Sequence, residues 1–308
     1  MPESEEVLAV LQAHYPLGIK EVSFFRDGGS LSFVVEAENQ KLFLRIIRPA
    51  FLDTARQSIA IHLHLINNGV PVPAIIFTKD GAPSVTVSGL QGESLYILYE
   101  YLQDIDLDAA ADAVELGQLA GRLHSTMKSY SGELVQRDRY FFIDRYIDLL
   151  RKKQYPKADE FLGYGLAVWE RVKDLPRGYC HGDFHAGNIL KTPAGQMYMI
   201  DFDTSCQAFP MYDVMMMCNR THYFRFYKKG YASSKAMLKQ FLTGYRQYSD
   251  LSDAEIHSFF DLIAVYHFQL QATIIEIYGL DCVNEEFLDS QLDWLCKWRE
   301  QCAANLAL

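Results

Sequence analysis

Residues 181–190 read HGDFHAGNIL, and within them Asp183 and Asn188 stand five positions apart. A second carboxylate, Asp201, opens the triplet Asp201-Phe202-Asp203 downstream. Between them, NILK and QMYMID are short strand candidates around the turn Thr192-Pro193-Ala194-Gly195. A hairpin there would bring Asn188, before the first strand, close to Asp201, after the second. One amide oxygen and one carboxylate form a hard donor pair suited to Mg²⁺, which keeps waters and shares its remaining positions with substrate phosphates. Asp183 is then left to take a proton from a hydroxyl or to orient it. This order of Asp, Asn and a later Asp is that of phosphoryl transfer. Two other readings compete. His181, Asp183 and His185 alternate as on the metal-binding strand of a hydrolase, which would need further His or carboxylate ligands. The plainest alternative is a polar turn whose side chains cap backbone groups.

The chain that must position these groups has 308 residues, beyond the usual size of one hydrophobic core, so one large or two smaller lobes are expected. Hydrophobic residues make up 49% and charged residues 22%, close to ordinary globular proteins, which sets extensive disorder aside. A formal net charge of −10 repels a phosphate backbone, and no basic run exceeds Arg151-Lys152-Lys153, so no nucleic-acid partner is expected. The first residues, MPESEEVLAV, are acidic where a secretory signal is basic. No apolar run approaches the roughly 20 residues that span a bilayer. A cytoplasmic protein without a membrane partner is expected. The six cysteines include no Cys-x-x-Cys pair, which argues against a zinc or redox motif.

Between Val22 and Leu102 the segments VSFF, LSFVVEA, KLFLRII, AIIFT, SVTV and SLYILYEYL predict an antiparallel meander. Turn signals at Asp27-Gly28-Gly29, Asn39-Gln40 and Lys79-Asp80-Gly81 divide them. One helix interrupts, from about Asp53 to Asn68, stopped by Gly69 and VPVP. After Leu102 the texture is mostly helical: AVELGQLAGRLHSTM, YFFIDRYIDLLRKK, DEFLGYGLAVWERVK, then long segments after residue 232. One of these opens on a Ser252-x-x-Glu255 capping box, runs through IHSFFDLIAVYHFQLQATIIEIY and stops at Gly279.

HGDFHAGN followed by MIDFD resembles the catalytic loop and metal-binding segment of the aminoglycoside phosphotransferase and choline kinase group, small-molecule kinases with a protein-kinase-like fold. Companion segments occur in the family's order. FRDGGSLSFVVE resembles its phosphate-covering turn, KLFLRIIRP its third strand and NNGVPVP the exit from its first-lobe helix. ILYEYL resembles the interlobe hinge, LGQLAGRLHS the first helix of the second lobe, and MYDVMMM the helix start after the metal segment. The resemblance implies a bilobal α+β fold. Residues 1–102 would form a small antiparallel-sheet lobe with one helix that binds nucleotide, and residues 103–308 a larger, mainly helical lobe for catalysis and substrate. It implies transfer of the γ-phosphate of ATP to a hydroxyl, dependent on Mg²⁺, with Asp183 catalytic and Asn188 and Asp201 on the metal. Gly28, Gly29 and Ser30 would cover the phosphates, Arg45 would clamp them, and the backbone at Glu100, Tyr101 and Leu102 would take the base without distinguishing ATP from GTP. His181 and His124 would be structural and Asp213 would anchor the catalytic loop. Asp203 is left open between a second metal ligand and a support of the loop.

The third strand departs from the family. Arg45 stands where most members carry Lys, and the next helix offers Gln57 or Ser58 where the partner Glu is expected. A guanidinium binds phosphate bidentately and stays charged without help, so Arg45 is read as a functional substitute. The family's members act on antibiotics, choline, homoserine, sugars and, in some bacterial branches, protein Ser/Thr residues, so the acceptor is open. A small hydroxylated metabolite or antibiotic ranks first, a stress-response type Ser/Thr protein kinase second, and a nucleotide-binding pseudokinase third. The acidic balance, with Asp281, Glu285, Glu286 and Asp289, is compatible with an amine-bearing acceptor. Oligomeric state is not assigned.

Overall fold

The computed structural model describes residues 3–89 and 92–306. The chain divides into two compact units, one of Met1–Leu107, Tyr130–Glu133 and Gly187–Thr204, the other of Asp108–Ser129, Leu134–Ala186 and Ser205–Leu308.

The first unit opens with α1 (Ser4–His14), which is not among the expected elements. Its Val7 and Leu11 lie one turn apart and fully buried, and Glu3 and Glu6 close its start as a capping box. Strands β1 (Ile19–Gly28), β2 (Ser30–Ala37) and β3 (Lys41–Ile47) follow, then α2 (Leu52–Asn67), β4 (Val85–Gly89) and β5 (Gly92–Glu100). The strands pair antiparallel in the order β1-β2-β3-β5-β4. The expected strand AIIFT is reduced to an isolated bridge, Ile75 to Tyr99. Pro71 and Pro73 remove two N–H donors just ahead of it.

Side chains alternate across β3. Leu42, Leu44 and Ile46 enter a core with Val7 and Leu11 of α1, Phe33 of β2 and Leu98 of β5. Phe43 and Ile47 join Ala55 and Ile59 of α2 with Ile97 and Tyr99. Arg45 shares the parity of Phe43 and Ile47, so the period of two assigns it to the α2 face. The segments Ile189–Lys191 and Met197–Met199 form the expected hairpin, closed by Gly195 at φ +83°. Met199 N–H donates to the Pro71 carbonyl at 3.1 Å and Ile105 N–H to the Lys191 carbonyl at 2.8 Å, which ties the hairpin into this unit.

The second unit is mainly helical: α3 (Ala113–Met127), α4 (Arg145–Lys152), α5 (Ala158–Val172), α6 (Pro210–Cys218), α7 (Gly230–Tyr245), α8 (Asp253–His257), α9 (Phe259–Tyr278) and α10 (Glu285–Leu306). A π-helical turn, Tyr140–Asp144, leads into α4. Helices α3 and α7 cross at backbone distance. A Cβ on Gly117 would lie 2.0 Å from the Phe241 carbonyl oxygen, and one on Gly244 1.8 Å from that of Val114. The helix expected from Ile256 to Tyr278 breaks at Ser258, whose hydroxyl donates back to the Glu255 carbonyl at 2.7 Å. The capping box at Ser252 and Glu255 and the stop at Gly279, φ +86°, are both present. Short strands Gly178–Cys180 and Val135–Gln136 flank Cys206–Ala208. One sheet-bearing unit and one helical unit make the fold α+β. Among the described residues no helix is long and apolar enough to cross a membrane.

Candidate active site

The base of the hairpin gathers the first unit's polar groups. Ile200 N–H donates to the Asn188 carbonyl at 3.0 Å, so Asn188 and Asp201 share one end of the hairpin as their spacing predicts. Asn188 is 8% exposed, whereas the Asp201 side chain is 39% exposed. Asp201 adopts φ +67°, a left-handed conformation that costs an L-residue roughly 1–2 kcal/mol, less for Asp than for most. Such strain persists where the surroundings over-determine it. After this reversal Phe202 is buried, edge-on to His62 of α2 with ring centroids 5.6 Å apart.

Beyond Phe202, Asp203 reaches Arg45. Arg45 Nη2 donates to Asp203 Oδ2 at 2.7 Å and lies 3.6 Å from Asp201 Oδ1, while its Nε donates to Ser30 Oγ at 3.3 Å. Burial opposes the charge on Arg45, but Asp203, Tyr99 and Asp201 outweigh it and hold its pKa above the ordinary arginine value. Arg45 thus finds its carboxylate in Asp203 and not in α2, whose Asp53 is exposed and pairs with Arg56. Ser30 follows the β1–β2 turn, where Gly29 has φ +79°. A Cβ at Gly28 or Gly29 would meet nothing within 4 Å, so this side of the turn's backbone is open.

At the end of β5, Glu100 is largely committed to the protein. Its N–H donates to the Ala74 carbonyl at 2.9 Å and its Oε1 accepts the Ala74 N–H at 2.7 Å. Tyr101 and Leu102 follow, and among the described residues neither gives its N–H to a protein acceptor.

Asp183 belongs to the second unit, the division between units falling after Ala186. The loop that carries it is anchored by Asp213 of α6, which is fully buried. The Asp213 carboxylate accepts the N–H of His181 at 2.6 Å and of Gly182 at 3.0 Å, and His124 Nε2 at 3.0 Å. Three donors, one from an imidazole, make burial of this carboxylate tolerable. His124 Nδ1 in turn lies 2.8 Å from the Tyr245 hydroxyl, so His124 is a packed histidine of α3. His181 is buried and its Nδ1 accepts the Asp183 N–H at 3.4 Å, which steadies the loop from within. His185 Nε2 lies 3.4 Å from Asp183 Oδ2, a neighbour considered in the sequence only as a metal ligand. The Asp183 side chain is 40% exposed.

Asn188 and Asp201 offer the hard oxygen donors that Mg²⁺ takes, and the hairpin holds them together, so these residues fit that ion. Among the described residues no group of three or more His, Cys, Asp and Glu side chains is arranged to hold a metal. Of the acidic stretch in α10 and before it, Asp289 is engaged by Lys157 at 2.8 Å and by the Tyr155 hydroxyl at 2.5 Å.

The profile of the phosphotransferase enzyme family (APH) matches residues 21–251. An uncharacterized protein of Deinococcus radiodurans is 24% identical over 93% of this chain and 87% of its own length. Among solved structures, an amicoumacin kinase in complex with AMP-PNP, Ca²⁺ and Ami has a TM-score of 0.73 at 18% identity, covering 97% of this chain and 94% of its own. A microcompartment-associated aminopropanol kinase has a TM-score of 0.65 at 15% identity over 97% and 95% of the two chains. The choline kinase LicA of Streptococcus pneumoniae has a TM-score of 0.60 at 15% identity over 97% of each. These likenesses establish a kinase-like α+β fold. With the family profile matched over most of its length, the chain belongs to the phosphotransferase enzyme family.

Proposed function

We propose that the protein transfers the γ-phosphate of ATP to a hydroxyl of a small molecule. The observation that carries this reading is the joining of Arg45 to Asp203, Asp201 and Ser30, which supports reading Arg45 as the phosphate clamp although the usual Lys and Glu are both missing. Residues 1–102 serve as the nucleotide-binding lobe and residues 103–308 as the catalytic and acceptor lobe. Gly28, Gly29 and Ser30 let the backbone approach the phosphates, and Arg45 supplies a fork of fixed donors. The adenine is taken by backbone groups between Glu100 and Leu102, with Tyr101 and Leu102 the available N–H donors. Asn188 and Asp201 hold Mg²⁺, which when bound neutralises charge on the phosphates. Asp183 orients the acceptor hydroxyl and accepts its proton as the new O–P bond forms and ADP leaves. A small acceptor is supported by relatives named for amicoumacin, aminopropanol and choline. The anchored loop around Asp183 favours an active enzyme over a pseudokinase.

The test is Asp183→Asn. It should lower kcat by roughly 10² to 10⁴-fold while leaving ATP affinity nearly unchanged, as removal of a positioned proton acceptor does. Unchanged turnover would remove Asp183 from the reaction.

A further inference from the structure

The second unit contains a cationic cluster with no role in the reading so far. Arg137, Phe141 and Arg145 recur at intervals of four, and Phe141 sits in the π-helical turn Tyr140–Asp144, a backbone form that recurs at functional sites. The guanidinium carbons of Arg137 and Arg145 lie 4.0 and 4.5 Å from the centroid of the Phe141 ring. Two like charges therefore share one aromatic face or its two sides.

Only one is balanced. Arg145 donates to Glu276 at 2.8 Å and to Thr273 Oγ1 at 3.1 Å. Arg137 is partly buried, its Nε is fully so, and among the described residues its guanidinium meets neither a carboxylate nor a hydrogen-bond acceptor. Arg177 beside it gives Nη2 to the Arg137 and Gln207 carbonyls at 2.6 and 2.8 Å, and among the described residues no carboxylate is paired to it. A partly desolvated cation without a counter-charge is costly, and an anionic ligand would relieve it. Burial and the charge of Arg137 push the Arg145 pKa down despite Glu276.

The cluster is continuous with the surroundings of Asp183. Helix α9 is mostly apolar, and besides Asp261, His267 and Gln271 it carries Tyr266, Gln269, Thr273 and Glu276, at spacings of three and four along one stripe. The Tyr212 hydroxyl donates to Gln269 Oε1 at 3.3 Å, and Gln269 Nε2 to Thr273 Oγ1 at 3.1 Å. Tyr266 stands edge-on to Tyr212 and Tyr223, with centroids 6.1 and 5.5 Å away. Tyr212 adjoins Asp213 on α6, whose carboxylate accepts the N–H groups of His181 and Gly182, so the near end of the stripe borders the loop that carries Asp183. At its far end lie Arg145 and Glu276.

We infer that the acceptor carries an anionic group, a carboxylate or a phosphate, bound by Arg137 with Arg145, while its hydroxyl is presented to Asp183 along the polar stripe of α9. This rests on the phosphotransferase reading and narrows its substrate class. The net charge of −10 points the other way, but a ligand meets the groups at its own site, and here the cation without a carboxylate partner among the described residues is Arg137.

The test uses the whole protein with ATP, Mg²⁺ and two matched pairs of alcohols. L-homoserine and 3-amino-1-propanol differ by one carboxylate; glycerol 3-phosphate and glycerol differ by one phosphate. The anionic member of one pair should have a kcat/KM about tenfold higher or more, and the pair that responds identifies the anion. Arg137→Gln should raise the KM for that acceptor about tenfold, and by more than it lowers kcat. Equal use of both members, preference for the uncharged or cationic one, transfer to none of the four while ATP–Mg²⁺ still binds, or a wild-type KM in Arg137→Gln would each overturn the inference. Absence of any ATP–Mg²⁺ binding is a different failure, that of the phosphotransferase reading itself.

Discussion

Arg45 and Asp203 meet at 2.7 Å although 158 positions separate them in the chain. The strand period assigns Arg45 to the α2 face of the sheet, and the left-handed turn at Asp201 precedes the carboxylate that reaches it. Arg45→Ala should weaken ATP binding by about 2 kcal/mol, the value of one charge-assisted contact, and Arg45→Lys should recover only part, since an ammonium lacks the fork. If Asp203 acts by holding Arg45, the double variant Arg45→Ala, Asp203→Ala should lose about 1 kcal/mol less than the two single losses together. Calorimetric ATP affinities decide it, and strict additivity would assign Asp203 a separate task, such as a second metal ligand.

The crossing of α3 and α7 makes a prediction about stability alone. Gly244→Ala forces a methyl to 1.8 Å from the Val114 carbonyl oxygen, a backbone atom that cannot swing aside. The two helices must separate, at a cost of roughly 1–3 kcal/mol or more. Gly163→Ala in α5 meets nothing within 4 Å and should be neutral or stabilise by up to about 1 kcal/mol through helix propensity. Urea midpoints of the two variants should move apart. A tolerated Gly244→Ala would mean that the helices do not pack at this distance.

Stability should also fall toward acid pH. Burial pushes the His267 pKa down to about 3, and burial together with Arg45 pushes that of His62 down to about 4, against the Pro73 carbonyl. In the unfolded chain both titrate near 6.5. Below that pH the unfolded state binds more protons, so the contribution is complete above 6.5 and declines until the folded values are reached. Between pH 7 and pH 5 the loss should be roughly 2 kcal/mol for each histidine. His267 stacks on Trp294 with centroids 4.5 Å apart, so His267→Phe should keep the packing and lose its share of the slope. Unfolding curves at the two pH values measure it, and an undiminished slope in His267→Phe would contradict this assignment.

What is legible in the sequence is what depends on local pattern. The strands of the sheet, the Gly69 and Gly279 stops and the hairpin joining Asn188 to Asp201 all follow from alternation and turn residues. Helix α1 is also local, with Val7 and Leu11 one turn apart behind a capping box, but its short apolar stripe is easily passed over. AIIFT reads as a strand by composition, and the two prolines before it prevent a full ladder. The partner of Arg45 is a different matter. No periodicity connects residue 45 to residue 203, and the left-handed conformation of Asp201 is a property of the folded surroundings. The same holds for the pairing of Arg137 and Arg145 on Phe141: their spacing is visible, yet the missing counter-charge appears only once the neighbours are known.

The most direct test of the account is a thermal-shift titration with ATP in the presence and absence of Mg²⁺. With Mg²⁺, ATP at ten times its Kd should stabilise the fold by about 1.4 kcal/mol, and the shift should grow with the logarithm of ATP concentration. Without Mg²⁺, or in Asp201→Asn, most of that shift should disappear, because Asn188 and Asp201 are assigned to the metal. A folded protein whose Tm does not respond to ATP and Mg²⁺ at any concentration would contradict the proposed nucleotide site and the phosphate transfer built on it.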